Sequence, residues 1–180
     1  MIPQVYLRKG KEESLARRHP WIFSGAIDYI KAEEEEFAEG ALVEVYTRAG
    51  EFIAQGHYQV GSIAVRVLSF EREAIDQAWW NRRIASAYGV RRTLGLTDDP
   101  STTCYRLIHG EGDSLPGLVV DIYGTTAVVQ CHSVGMYLAR REIAEAIRAA
   151  YGDSITAIYD KSSQTLPYKA ELNAVDGYLW

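Results

Sequence analysis

The sequence predicts an α+β chain in two parts: a small β barrel over residues 1–72, then an α+β domain over residues 73–180. Three observations carry that prediction. Up to about residue 70 the apolar residues fall in short alternating runs separated by turn residues, as in a compact all-β unit. Beyond it Trp80, Ile84, Ala87, Val90 and Leu94 recur at helical spacing. The composition, 47% hydrophobic and 24% charged over 180 residues, is that of a globular chain able to build a real core.

The elements follow in order. In IPQVYLRKG, Val5 and Leu7 alternate with Gln4, Tyr6 and Arg8, which predicts a half-buried strand ending at Gly10. KEESLARR predicts a helix of about two turns, with Glu12 and Glu13 in its first turn and Arg17 and Arg18 in its last, where each sign suits the helix dipole. His19 precedes Pro20, so the helix stops there. Leu42 to Tyr46 and Phe52 to His57 predict a hairpin turning near Ala49-Gly50, and IAVRVLSF a further strand with Val65 and Val67 on one face. EAIDQAWWNRRIASAYGVRRTLG is the first long helix, and TDDPSTT a polar break. YRLIHGEGDSLPGLVVDIYGTTAVVQCHS reads as a strand, a Gly/Pro loop and a hairpin turning at Tyr123-Gly124. MYLARREIAEAIRAAYG is an amphipathic helix with Ile143, Ile147 and Ala150 inward and Gly152 at its end, and ITAIYD is a final strand. No internal repeat is present.

No apolar run reaches the length of a membrane helix, and MIPQVYLRKGKEES lacks a secretory core, so a cytoplasmic protein without a membrane partner is expected. Cys104 and Cys131 show no CxxC spacing and read as free thiols. The net charge of -5 and pI near 5.4 argue against coating of nucleic acid by bulk charge. The charge is segregated, however. Residues 1–30 hold five Lys/Arg against three acids, whereas Glu33 to Glu36 form an acidic run read as solvated loop.

RRHPWIFSGAI gathers cations and flat rings at one place. Arginine binds phosphate bidentately, and Trp21 or Phe23 offers a face for an unpaired base. Arg8, Lys9 and Lys11 add donors beside Gly10. The same residues also suit a purely structural reading, in which Glu13 and Arg17 pair along the helix and the rings enter the core. In GEGDSLPG, Glu111 and Asp113 stand near His109 and Arg106. Acid–base work is one reading, and a turn whose acids cap amides or pair with Arg106 is the stronger one. Ser114 lacks the context of a nucleophile. His19, His57, His109 and His132 are scattered, and adjacent Cys131 and His132 point to opposite strand faces, so no metal site is expected. The pairs Arg82-Arg83, Arg91-Arg92 and Arg140-Arg141 read as solvated helix faces, with secondary RNA contact as the lesser alternative.

These residues carry a resemblance. YLRKGKEESLARRHPWIFSGAI resembles the N-terminal PUA domain of the bacterial 23S rRNA large-subunit methyltransferase I family. YRLIHGEGDSLPGLVVDIYG, AVVQCHS and IYDKS resemble that family's central domain, in the same order and spacing from about Tyr6 to Ser162. The resemblance implies a PUA-like barrel that grips structured RNA through its first helix and adjoining strands. It places Arg8, Lys9, Lys11, Arg17, Arg18, His19 and Trp21 at the RNA groove. It further implies a parent enzyme that transfers a methyl group from S-adenosylmethionine to C5 of a cytosine.

The departure from the family pattern shapes the expectation. The family's Rossmann-like methyltransferase domain finds no counterpart here, and neither does its Pro-Pro motif; DDPS at Asp98 to Ser101 is only a lookalike. Neither Cys104 nor Cys131 inherits the role of methylation nucleophile. The chain is therefore expected to be an RNA-binding N-terminal piece with no cofactor and no catalytic residue of its own, inactive alone, its partner 23S rRNA. The alternative is a scaffolding or dimerisation module, that is, a homodimer without direct RNA contact. A small hydrolase using His109 and Asp113 is a third reading with less behind it. The tail after Ser162 is expected to lack partners that hold it down.

Overall fold

The computed structural model describes residues 2–33, 37–167, 170 and 172–180. The chain divides into two compact units, Met1–Glu73 and Ala74–Trp180.

The first unit is a six-stranded sheet with one short helix. Its elements are β1 (Gln4–Leu7), α1 (Glu13–Ala16), β2 (Trp21–Phe23), a 3-10 turn (Ser24–Ala26), β3 (Ile27–Lys31), β4 (Leu42–Tyr46), β5 (Phe52–Tyr58) and β6 (Ile63–Ser69). The strand order is β2-β6-β5-β4-β1-β3. β1 runs parallel to β4 and antiparallel to β3. The alternation in β1 works as expected: Val5 and Leu7 are buried and join Ile22, Val43, Val45, Ala54, Val65 and Val67 in one core. Leu15 drops from α1 into that core. Burying it contributes about 1.5–3 kcal/mol, which anchors a helix far too short to persist alone. Gly56 is required where β5 meets β6, because a Cβ there would lie 2.1 Å from the Arg66 carbonyl oxygen.

Three expectations change. The sheet curls around its core as a half-barrel, with β2 and β3 as its two edge strands, rather than closing as a full barrel. WIF and IDYIK, not anticipated as strands, pair with β6 and β1. The helix has one turn rather than two. Arg17 caps it, and Arg18 takes a left-handed conformation at φ 59°. The Arg18 N–H donates to the Leu15 carbonyl at 2.8 Å and the His19 N–H to the Ser14 carbonyl at 3.1 Å. This is a Schellman ending with arginine where glycine is usual. No basic residue therefore lies in the last turn. Of the expected acidic loop, Glu34 to Glu36 fall outside the described residues.

The second unit packs helices on a five-stranded sheet of order β11-β10-β9-β8-β7. Its helices are α2 (Gln77–Thr93), α3 (Val134–Leu138) and α4 (Arg140–Tyr151). Its strands are β7 (Cys104–His109), β8 (Leu118–Tyr123), β9 (Thr126–Cys131), β10 (Ala157–Asp160) and β11 (Gly177–Tyr178). Asp76 caps α2 by accepting the Trp79 N–H at 2.9 Å. The apolar stripe of α2 is shorter than expected: Trp79, Trp80, Ile84 and Ala87 are buried, while Val90 and Leu94 are exposed. The expected single helix over MYLARREIAEAIRAAYG is divided at Ala139 into α3 and α4, with Ile143 and Ile147 buried but Ala150 only half-buried. The tail is held down after all. β11 pairs with β10, the Leu179 N–H donates to the Ile158 carbonyl at 2.8 Å, and the Arg148 guanidinium lies 4.3 Å from the Trp180 ring centroid.

Candidate nucleic-acid interface

The basic, aromatic segment of the first unit builds a cleft. Gly10, at φ 84°, turns the chain after β1, and the Lys11 N–H donates to the Arg8 carbonyl at 3.0 Å. That turn sets Lys11 at the start of α1, facing the edge strand β2. In β2 only Ile22 is buried, so Trp21 and Phe23 on either side of it turn toward the surface. Lys11, Ser14, Leu15, Trp21, Ile22 and Phe23, with the small residues Gly25 and Ala26, line a cleft of about 320 Å³. Its floor is apolar, two of its walls are aromatic, and a cation stands in its lining.

His19 extends the aromatic wall. Its ring lies 5.8 Å from Trp21 and 6.4 Å from Phe23, and Trp21 meets Phe23 edge to face at 6.3 Å. His19 Nδ1 lies 3.2 Å from the Trp21 backbone N and 3.3 Å from its carbonyl oxygen, so the ring is tied to the backbone of β2. Phe23 is 49% exposed, a large apolar ring left in water at a sheet edge.

The sequence candidates divide by position. Lys11 and Trp21 share the cleft, with His19 against its wall. Lys9 and Arg17 are exposed beside it in the chain, at the turn and at the end of α1. Neither they nor Lys11 has an ion-pair partner among the described residues. Arg8 sends Nε to the Ile27 carbonyl at 3.0 Å, across β3. Arg18 lies over Phe70, 4.8 Å from the ring centroid, and 4.0 Å from Glu71, so it braces the end of β6 instead of lining the cleft. Phe23, expected as a stacking face, stands in the cleft with Trp21, whereas Ser14, Gly25 and Ala26 are lining residues that the sequence did not single out.

The other candidates resolve into structure. Asp113 pairs with Arg91, through Oδ1 to Nη1 and through Oδ2 to Nη2 at 2.8 Å, and accepts the His109 N–H at 2.6 Å. Arg106 instead pairs with Asp121 at 2.8 and 3.0 Å. The loop acid thus caps an amide as expected but takes a different arginine. Among the described residues, no group of three or more His, Cys, Asp or Glu comes together as a metal site. Cys104 is exposed; Cys131 is fully buried, and burial pushes its thiol up to about 12. His57, inside β5, is pushed down to about 4, by burial first and by the nearby Arg66 second. No helix among the described residues is long and apolar enough to cross a membrane.

Comparison with known proteins bears on this geometry. The model of a PUA-like domain family matches residues 5–70. Ribosomal RNA large subunit methyltransferase I of Klebsiella pneumoniae subsp. pneumoniae is 37% identical over 179 residues, covering 98% of this chain and 43% of that protein. The protein of the same name from Photobacterium profundum is 36% identical over 181 residues, covering 99% of this chain and 44% of its own length. The chain spans less than half the length of these curated relatives. A solved structure of a proposed SAM-dependent methyltransferase from Streptococcus mutans shares the fold, with a TM-score of 0.78 at 20% identity, over 100% of this chain and 43% of that one.

Proposed function

The chain is homologous over 98% of its length to ribosomal RNA large subunit methyltransferase I and carries a PUA-like domain; on that premise we propose that it docks ribosomal RNA for methylation by a catalytic domain it does not span. The observation that carries the reading is the cleft beside α1, where Trp21 and Phe23 stand over an apolar floor with Lys11 in the lining. Unpaired bases stack on aromatic faces and leave their phosphates to nearby cations. Lys11 sits where such a phosphate would lie, with Lys9 and Arg17 exposed nearby in the chain. His19 extends the aromatic wall, and Trp21 supplies a ring face.

In this reading residues 1–72 are the RNA-binding domain and residues 73–180 a central domain, and the protein works in the cytoplasm. Phosphate contacts set register on the RNA, and the catalytic domain flips and methylates a cytosine of 23S rRNA. S-adenosylmethionine supplies the methyl group in that domain. The junction from β9 into α3 does not suit it: Ser133 accepts the Met136 N–H at 3.4 Å, and no glycine-rich turn is present to admit a nucleotide.

The test is binding of the chain to a 23S rRNA fragment over a salt series, beside Lys11→Glu/Arg17→Glu. Wild-type affinity should fall linearly on a log–log plot as counterions are released. The double variant should bind at least about tenfold more weakly, with a shallower slope by roughly one to two. Binding indifferent to salt and to both substitutions would overturn the reading, and self-association in its place would support a scaffolding role.

A further inference from the structure

The outer face of the first sheet carries an aromatic ladder that neither the cleft nor the core uses. Tyr29 on β3, Tyr6 on β1, Tyr46 on β4 and Phe52 on β5 occupy directly opposed positions in four neighbouring strands. Tyr29 and Tyr6 are stacked at 4.6 Å with 9° between their planes, and Tyr6 and Tyr46 at 5.3 Å with 18°. Phe52 closes the inner end edge-on at 5.9 Å, with the Arg72 guanidinium 4.7 Å from its ring centroid.

The inner rungs are braced. The Tyr6 hydroxyl donates to Gln4 Oε1 at 3.1 Å, Tyr46 donates to Glu44, and Arg72 Nη2 donates to the Tyr46 hydroxyl at 2.9 Å. The outer end is open. β3 is an edge strand, and Tyr29 is 51% exposed, with Tyr6 its one ring contact among the described residues. Two cations flank that open ring. Lys31 is exposed two residues on, past Ile30, which packs against the core with Ile27, while the exposed Asp28 sits at the bulge where β3 slips against β1. Arg8 reaches β3 through its Nε bond to Ile27 and keeps its terminal amino groups clear of any partner among the described residues.

We propose that the free face of Tyr29 is a second RNA contact, which takes one unpaired nucleobase as the next rung of the ladder, with its phosphates on Lys31 and Arg8. The inference rests on the RNA-docking reading above and extends it to single-stranded nucleotides outside the cleft. Three features point to a base. Near-parallel stacking at these separations is what a flat heteroaromatic ring continues. The braced inner rungs hold the platform in place before the ligand arrives, so little ordering is left to do. Lys31 and Arg8 have the sign that a nucleotide's phosphates need, and together they outnumber the one acid, Asp28, next to Tyr29 in β3.

The experiment uses the whole chain and a short single-stranded RNA carrying one 2-aminopurine, with Tyr29→Ala and Tyr29→Phe as variants. Stacking on a ring quenches the fluorescence of that base. The wild type and Tyr29→Phe should quench it; Tyr29→Ala should bind about tenfold more weakly with the quench diminished. Circular dichroism reports whether Tyr29→Ala keeps its fold. RNA binding that persists in Tyr29→Ala with unchanged affinity and quench overturns this inference and leaves the cleft reading standing. Absence of any RNA binding by the wild type overturns both. Loss of self-association in Tyr29→Ala, without an effect on RNA, would make the ladder a protein contact and overturn the base assignment.

Discussion

In the second unit Arg91, Arg106 and Arg140 each reach a carboxylate, on Asp113, Asp121 and Asp160, and two of those pairs are largely buried. In the first unit Lys9, Lys11 and Arg17 reach none among the described residues and stand in water. The residue types are alike and so is their clustering in sequence, yet they do opposite work. A cation already matched to a carboxylate, with its other donors on carbonyls, has little left for a phosphate. Arg91 is of this kind, since its Nε donates to the Arg106 carbonyl at 2.9 Å. A cation without a partner near an aromatic cleft keeps its donors for a ligand. Local electrostatics, and not net charge, therefore separates scaffold from site in a chain whose formal charge is -5.

The comparison breaks most visibly at Asp113. Asp113→Ala strands a guanidinium whose side chain is 11% exposed and removes the cap on His109. It should cost about 3–5 kcal/mol, read as a lower urea midpoint. Lys11→Glu in the first unit should change the stability by no more than about 0.5 kcal/mol in the same titration. Equal losses in the two variants would erase the distinction.

A second test uses protons. His57 is buried without a carboxylate beside it, and its folded value of about 4 lies below the ordinary 6.5. The unfolded chain then binds the extra proton between those values. Stability is fully present above pH 6.5 and is lost as pH falls toward 4, by about 3 kcal/mol. His57→Gln should flatten that limb in urea titrations across the window. An unchanged limb would assign the acid sensitivity elsewhere.

The smallest expected effect is at Arg18. Arg18→Ala keeps the left-handed conformation and loses the Phe70 contact, for a loss of about 1 kcal/mol. Arg18→Gly relieves the backbone and loses the same contact, so the two changes nearly cancel. Denaturation should therefore rank glycine above alanine, which marks Arg18 as a brace and sets it apart from Lys11 and Arg17.

What was legible in the sequence was local. Alternation exposed β1, β4, β5, β6, β8 and β9, and the glycines at 50 and 124 marked their hairpins, both with positive φ. The strip of cations and rings was visible as well. Pairings over distance were not. β2 buries one residue and β3 none completely, so neither shows a period, and each exists because β6 and β1 supply its hydrogen bonds. The short α1 was hidden because a Schellman ending usually announces itself with glycine, and Arg18 stands in that place. Asp113 was assigned to Arg106 by nearness in sequence, whereas α2 brings in Arg91 from much farther back along the chain. Lys11 and Trp21 were read as a line of charge and aromatics. The sequence offered no way to see the cleft that the turn at Gly10 makes of them.

The placement of β2 has a consequence in time. Its hydrogen-bonding partner is β6, made long after it, with β3, β4 and β5 in between. At roughly 5–20 residues per second, a ribosome presents Trp21 and Phe23 for several seconds before Arg66 and Ile63 arrive to pair with them. The aromatic edge of the cleft is thus, in every newborn copy, first an unclaimed apolar surface, open to whatever chaperone waits at the exit tunnel.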